Sequence, residues 1–308
     1  MQNKNLPFFI LFLPPLFWAG NFIAGRSVSH LAAPLSLSFW RWFIALIILL
    51  PFIAVPIWKQ RRVIQKNFVK ILVLAALGIT GFNSLVYIAL QDTTATNALL
   101  LNSFIPIFII LISSLLLRET ITKVQALGVL LSLLGVIAII TKMDYLIIKH
   151  LTLNKGDLWM LLAALDWALY SVLLKYFRPK EMSSIAFLGI LIFLGILMLL
   201  PLYLYNPFNE VAWVWDDTIV KVILYIAIFP SIISYLAWNY GMQKIGATKG
   251  GQFIHLMPFF GAILAVLLLN EEIHSYHLIG GLFIAVGLWL SLFYNKNNQL
   301  LKKGGGAI

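Results

Sequence analysis

The sequence predicts an all-α polytopic membrane protein with ten transmembrane helices in two five-helix repeats of inverted topology. Three observations carry that expectation. The chain of 308 residues is 61% hydrophobic and 11% charged, with a mean hydropathy of +0.95, where soluble domains are about 25% charged. Residues 95–135 match residues 247–287 at 12 of 41 positions without a gap. Lysine and arginine crowd into alternate loops.

A span needs about 20 apolar residues. Ten stretches qualify: Leu6–Gly25, Leu35–Trp58, Ile71–Leu90, Ala95–Leu117, Val124–Thr141, Gly156–Tyr176, Ser183–Tyr205, Thr218–Tyr240, Thr248–Leu269 and Tyr276–Tyr294. Each is read as a helix, because a lipid-exposed backbone must satisfy its own hydrogen bonds, and none has the alternation of a barrel strand. There is no cysteine, so neither a disulfide framework nor a thiolate metal site is expected, and no cofactor is called for.

Orientation follows from the basic residues. With the N-terminus in the cytoplasm, 16 of the 22 Lys and Arg fall on that side and 5 on the other, leaving Arg41 inside a span. This fits membrane topology, not nucleic-acid binding. The expectation is an integral protein of a bacterial inner membrane with both termini cytoplasmic.

The repeat then becomes legible. At an offset of 152, Pro106 falls on Pro258, Glu119 on Glu271, Gly128 on Gly280 and Gly135 on Gly287. Leucine matches are cheap in so apolar a chain, but Pro, Glu and Gly at fixed spacing are not. The repeat unit holds five spans, an odd number, so the second copy enters the membrane upside down. Residues 1–142 are read as the first repeat, 143–155 as a linker, 156–295 as the second repeat and 296–308 as a cytoplasmic tail. Inverted repeats are a recurring transporter plan, with the substrate site near mid-membrane.

The ten spans, the two halves, the Pro-then-Leu-Leu-Leu-x-Glu ends of spans 4 and 9, and Phe39-Trp40-Arg41-Trp42-Phe43 at the start of span 2 resemble the EamA-type drug/metabolite transporters. The resemblance covers nearly the whole chain. It implies transport of a small metabolite, often export of amino acids or related compounds, through a central cavity built from both halves. The second half has no clear counterpart of Arg41.

Several residues are candidates for that cavity. Pro106 and Pro258 sit near mid-span. Each lacks an N–H and clashes with the carbonyl four residues back, which frees the carbonyls of Asn102 and Ile254 where a cavity tolerates them. Ser103 and His255 occupy equivalent places before the two prolines, and a lone intramembrane His is as often a hydrogen-bonded packing residue as a ligand. Asp166 is the carboxylate well inside a span, where charge is costly by at least ~2.5 kcal/mol. It serves a cationic substrate or a coupling proton, or else pairs with Arg41, whose depth differs by about 6 Å at about 1.5 Å per residue. Alternatively Arg41 snorkels outward. Trp18 and Asn21, Asn83 and Tyr87, Trp167 and Tyr170, and Ser234 and Tyr235 supply aromatic and hydrogen-bonding surface. Trp238 and Tyr240 lie at a span's end and read as an interfacial belt. Glu119 and Glu271 read as turn residues beside helix N-termini, and Thr122 with Gln125 as a capping box. The expected partners are a small-molecule substrate and the bilayer, with protons a candidate coupling ion; the sequence assigns no oligomeric state. The leading function is a secondary carrier working by alternating access. The alternatives are a channel-like facilitator, or a membrane enzyme, for which no nucleophile or nucleotide motif is present.

Reporter fusions after residues 65 and 180 are expected to read cytoplasmic, and fusions near residues 30, 148 and 212 to read outside. An outside signal at residue 65 would end the inverted-repeat reading.

Overall fold

The structure is a computed structural model, and it describes residues 5–119, 121–149, 154–205, 215–269 and 274–292. Glu271, linker residues 150–153, Tyr294 and the expected tail 296–308 lie outside the described residues. The described residues form helices and no strand.

Among the described residues, nine helical segments are long and apolar enough to cross a membrane: Leu6–Ser27, Pro34–Lys59, Phe68–Asp92, Asn97–Leu117, Lys123–Ile140, Lys155–Phe177, Ser184–Tyr205, Asp217–Ile245 and Ser275–Leu292. They are spans 1 to 8 and span 10. The expected ninth span is present in three pieces, Ala247–Gly250, a 3₁₀ stretch Gly251–His255, and Leu256–Leu269. Span 4 has a matching interruption: its helix stops at Asn102 and restarts at Ile105, just before Pro106. Both breaks fall where proline removes a backbone donor.

Spans 3 and 8 carry another shared irregularity. Residues Ala76–Gly81 and Ala227–Ile233 are wound as π-helix, and the two stretches coincide at the 152-residue offset. In span 8 the cause is Pro230, which leaves the carbonyl of Ile226 without its helical donor. In span 3 the stretch contains Gly78 and Gly81. A Cβ on Gly78 would lie 2.6 Å from the Tyr170 ring, and one on Gly81 would lie 2.8 Å from Asp166 Oδ1, so only glycine lets span 6 come this close.

The two halves are joined through their last spans. A Cβ on Gly128 would lie 2.6 Å from the Gly287 carbonyl oxygen, and one on Gly287 would lie 2.5 Å from that of Gly128. Gly135 and Gly280 face one another in the same way, at 2.5 and 2.7 Å. Residue numbers rise along span 5 as they fall along span 10, so the helices are antiparallel. The offset converts one glycine contact into the other, as at a two-fold interface. Equivalent helices running in opposite directions are what inverted repeats require. Small residues bring the backbones together here.

The bundle's ends are held by polar contacts. Glu119 at the end of span 4 bonds Lys175 Nζ (3.2 Å) at the end of span 6 and Thr248 Oγ1 (3.1 Å) at the start of the ninth. The ion pair is exposed, so its stabilisation is small, ~0–1 kcal/mol. The capping box of Thr122 and Gln125 is formed, and a second one, Asn154 with Asp157, starts span 6.

A Gly135→Val substitution pushes side-chain carbons into the backbone of Gly280 and Ile284. It is expected to destabilise by roughly 1–3 kcal/mol, the usual cost of overpacking, and to lower the melting temperature in detergent. Gly261→Ala meets nothing closer than Leu99 Cδ1 at 3.5 Å and should leave that temperature nearly unchanged. Equal effects of the two would remove the close-packing argument.

Candidate functional site

Inside a bilayer a freed carbonyl must find a donor from the protein, and the polar side chains at the bundle centre begin there. Ser231 Oγ donates to the Ile226 carbonyl (2.6 Å) and Ser234 Oγ to that of Phe229 (2.9 Å). Trp18 Nε1, from span 1, donates to the Pro230 carbonyl (3.0 Å). In span 3, Asn83 Nδ2 donates to the carbonyls of Gly78 and Ile79 (3.1 and 3.3 Å), and the Tyr235 hydroxyl donates to Gly78. The two π stretches are therefore stitched to one another and to span 1.

On this scaffold Arg41 of span 2 enters the centre and is 1% exposed. Its Nε donates to Ser231 Oγ at 2.5 Å. Its Nη1 donates to Asn83 Oδ1 (2.7 Å), the Tyr87 hydroxyl (3.0 Å) and Asn21 Oδ1 (3.4 Å). Tyr87 in turn donates to Asn21 Oδ1 at 3.0 Å. The guanidinium also lies 4.9 Å from the centre of the Trp42 ring, within cation–π range.

Arg41 borders a narrow central cavity of about 10 Å³. Asn21, Asn83 and Asn102 supply its other polar groups, and the indoles of Trp18 and Trp167 wall it. Those rings meet edge to face at 5.1 Å. Asn102 and Ile105 of span 4 face Ile254 and Met257 of the ninth span; the 152-residue offset pairs these residues, so the wall beside the broken spans is two-fold. The polar wall is not, because Arg41 and the three asparagines all come from the first repeat. The free space has room for only about one water molecule, so this conformation is closed around its centre.

The sequence candidates separate into groups. Trp18, Asn21, Asn83, Asn102 and Trp167 line the cavity. Tyr87 and Tyr235 stand behind it, each bonded to a lining asparagine. The Tyr170 hydroxyl donates to Asn239 Oδ1 at 2.7 Å. Ser234 serves the Phe229 carbonyl. Ser103 and His255 are brought together, but with each other. The His255 Nε2–H donates to the Ser103 carbonyl at 3.0 Å, and Nδ1 lies 2.6 Å from Ser132 Oγ. Both ring nitrogens are thus occupied, and neither residue lines the cavity.

Asp166 lies away from the cavity lining, against Gly81 and the backbone of Phe82. It forms no ion pair with Arg41; the ion pair found among the described residues is Lys175–Glu119. Neither the expected pairing nor outward snorkelling describes Arg41, because neutral acceptors on spans 1, 3 and 8 hold it inside. Trp238 is also a correction. It is fully buried and packs 5.2 Å from Trp18 and 5.8 Å from Trp167. Span 8 continues to Ile245, past the expected end at Tyr240, which draws Trp238 inward from the interface. Phe22, Phe82 and Ile105 were missed as lining residues; apolar residues in an apolar span carry no signal of their own.

Two antiparallel, repeat-related halves around a buried polar cavity define an integral membrane protein of inverted-repeat transporter architecture. Residues 5–141 and 154–293 match the EamA-like transporter family, and the chain belongs to that family. It is 27% identical to the uncharacterized transporter YyaM of Bacillus subtilis over 92% of this chain and 93% of that one. An uncharacterized transporter of Archaeoglobus fulgidus is 29% identical over 92% of this chain and 96% of its own length. A chloroplastic WAT1-related protein of Arabidopsis thaliana is 27% identical over 96% of this chain and 72% of its own. A crystal structure with 17% identity is similar in fold, with a TM-score of 0.75 over 96% of this chain and 100% of that one.

Because Asp166 and Arg41 are not paired, their substitutions should be independent. Asp166→Asn is expected not to lower the melting temperature, and Arg41→Gln to lower it equally with or without Asp166→Asn. A double variant more stable than Arg41→Gln alone would restore the ion pair.

Proposed function

We propose that this protein is a secondary carrier. It moves a small amino acid or related amine-bearing metabolite across a bacterial inner membrane, outward, by alternating access through the cavity between its two repeats. Both termini lie in the cytoplasm on this reading, and residues 1–142 and 156–295 act as the two moving halves. The observation that carries it is the buried cavity itself. Four polar side chains at mid-bundle face one small space walled by two indoles, and helix breaks or π stretches stand beside that space in both repeats. Membership of a transporter family points the same way. So does the closed state of the cavity, which suits a carrier that occludes its substrate and not an open pore.

Counterflow in proteoliposomes tests it. A thermal-shift screen against amino acids and amines first selects a ligand. Vesicles loaded with unlabelled ligand should then take up the labelled form above its equilibrium level, transiently. Simple dissipation of the gradient without this overshoot would indicate a facilitator and overturn the carrier. An imposed pH gradient that drives accumulation in the wild type but not in Asp166→Asn would place proton coupling at that carboxylate.

A further inference from the structure

The central cluster holds a cation and no anion. A guanidinium is charged at any physiological pH. All four hydrogen-bond acceptors of Arg41 are neutral: Ser231, Asn83, Tyr87 and Asn21. No carboxylate pairs with it among the described residues. The residue borders the cavity. An intramembrane charge of this kind marks a substrate or ion pathway by default.

Two buried atoms of residues that line the same cavity lack partners, Asn102 Oδ1 and Trp167 Nε1. Asn102 Nδ2 donates to Met257 Sδ at 3.1 Å. A thioether has no proton to give, so the amide nitrogen is the atom turned to Met257 and the oxygen is left open. The cavity therefore offers a planar cation, one free acceptor and one free donor. Buried polar atoms without partners call for an explanation, and a ligand shared with Arg41 supplies one for both.

We propose that Arg41 is the anion-binding group of the central site. The transported molecule carries a carboxylate held by its guanidinium, and a hydrogen-bond donor on the same molecule meets Asn102 Oδ1. This rests on the carrier reading and narrows it. A single guanidinium matches a single negative charge, and its planar fork fits a carboxylate. An amino acid meets both requirements, its carboxylate at Arg41 and its ammonium at Asn102. The corresponding decarboxylated amine does not, since it would place a second cation in a cavity that holds no anion. Like charges so juxtaposed disfavour binding.

The test uses the purified full-length protein in detergent, with binding read from tryptophan fluorescence, to which Trp18 and Trp167 on the cavity wall contribute, and from thermal shift. The probes are matched sets: each amino acid of a panel, its decarboxylated amine and its des-amino carboxylate. At least one amino acid should bind, its amine at least about tenfold more weakly, and its des-amino carboxylate more tightly than the amine. Arg41→Gln should weaken the amino acid roughly thirtyfold or more, as for a truncated buried charge partner, with Arg41→Lys between the two. If Arg41→Gln does not fold, the ranking on the wild-type protein decides. An amine bound as tightly as its amino acid, a folded Arg41→Gln with unchanged affinity, or a panel in which no carboxylate binds would each overturn the proposal. Carboxylate binding without counterflow would support Arg41 in this role and remove the carrier reading, so the two fail separately.

Discussion

In hydrocarbon, a backbone carbonyl that loses its helical donor has no water to turn to. That constraint organises the centre of this protein. Pro106, Pro230 and Pro258 each remove a donor from a span, and the π stretches leave further carbonyls open. Serines and an asparagine of the same spans close some of them, and other donors come from other spans and from both halves: Trp18 for Pro230, Tyr235 for Gly78, His255 for Ser103. Each bond between spans fixes one helix against another. The polar groups that satisfy the backbone are thus the ones that set the shape of the cavity, and Asn83 does both, holding the Gly78 and Ile79 carbonyls with its nitrogen and Arg41 with its oxygen.

The scaffold is two-fold but the site is not. Where the repeats agree, they build frame: the glycines of spans 5 and 10, the π stretches, the broken fourth and ninth spans. Where they differ, they build chemistry. At the 152-residue offset Asn83 becomes Tyr235, Ser103 becomes His255, and Arg41 becomes Phe193. On the carrier reading, a symmetric frame would supply two related conformations of the bundle, while an asymmetric lining would give a small molecule one orientation within it. Symmetry in the wall is confined to apolar and aromatic groups, Ile105 with Met257 and, at an offset of 149, Trp18 with Trp167.

Much of the fold was legible because its signals are long. Ten apolar runs, the alternation of basic loops, and the Pro, Glu and Gly matches all survive one another's errors. The capping box at Thr122 was legible because it is local. The centre was less so. Depth along a helix can be read from a sequence. Rotation about the helix axis cannot, and rotation decides that Asp166 turns to Gly81 while Trp167, its neighbour, turns to the cavity. Span ends were a further source of error: stopping span 8 at Tyr240 put Trp238 at the interface, whereas helix continuing to Ile245 buries it. The π stretch at Ala76–Gly81 contains no proline and has no short-range signature beyond its two glycines. The pairing of His255 with Ser132 joins residues far apart in the chain, and nothing local announces it.

Arg41 shows most clearly how the charge and the frame constrain each other. An arginine left in a lipid-facing position would snorkel to the surface. Here its bonds reach spans 1, 3 and 8 at once, and they span the two repeats. Neutral acceptors keep the guanidinium in place without neutralising it, so the charge persists at the centre of the bundle. A carboxylate from the protein would hold it more tightly but would also leave it nothing to bind. A motion of one repeat against the other must lengthen or exchange the bond to Ser231, the one bond of Arg41 that crosses to the second repeat. The same residue that presents charge to the cavity is therefore tied to the junction along which the halves would move. Any anion that draws the guanidinium toward itself acts directly on that junction.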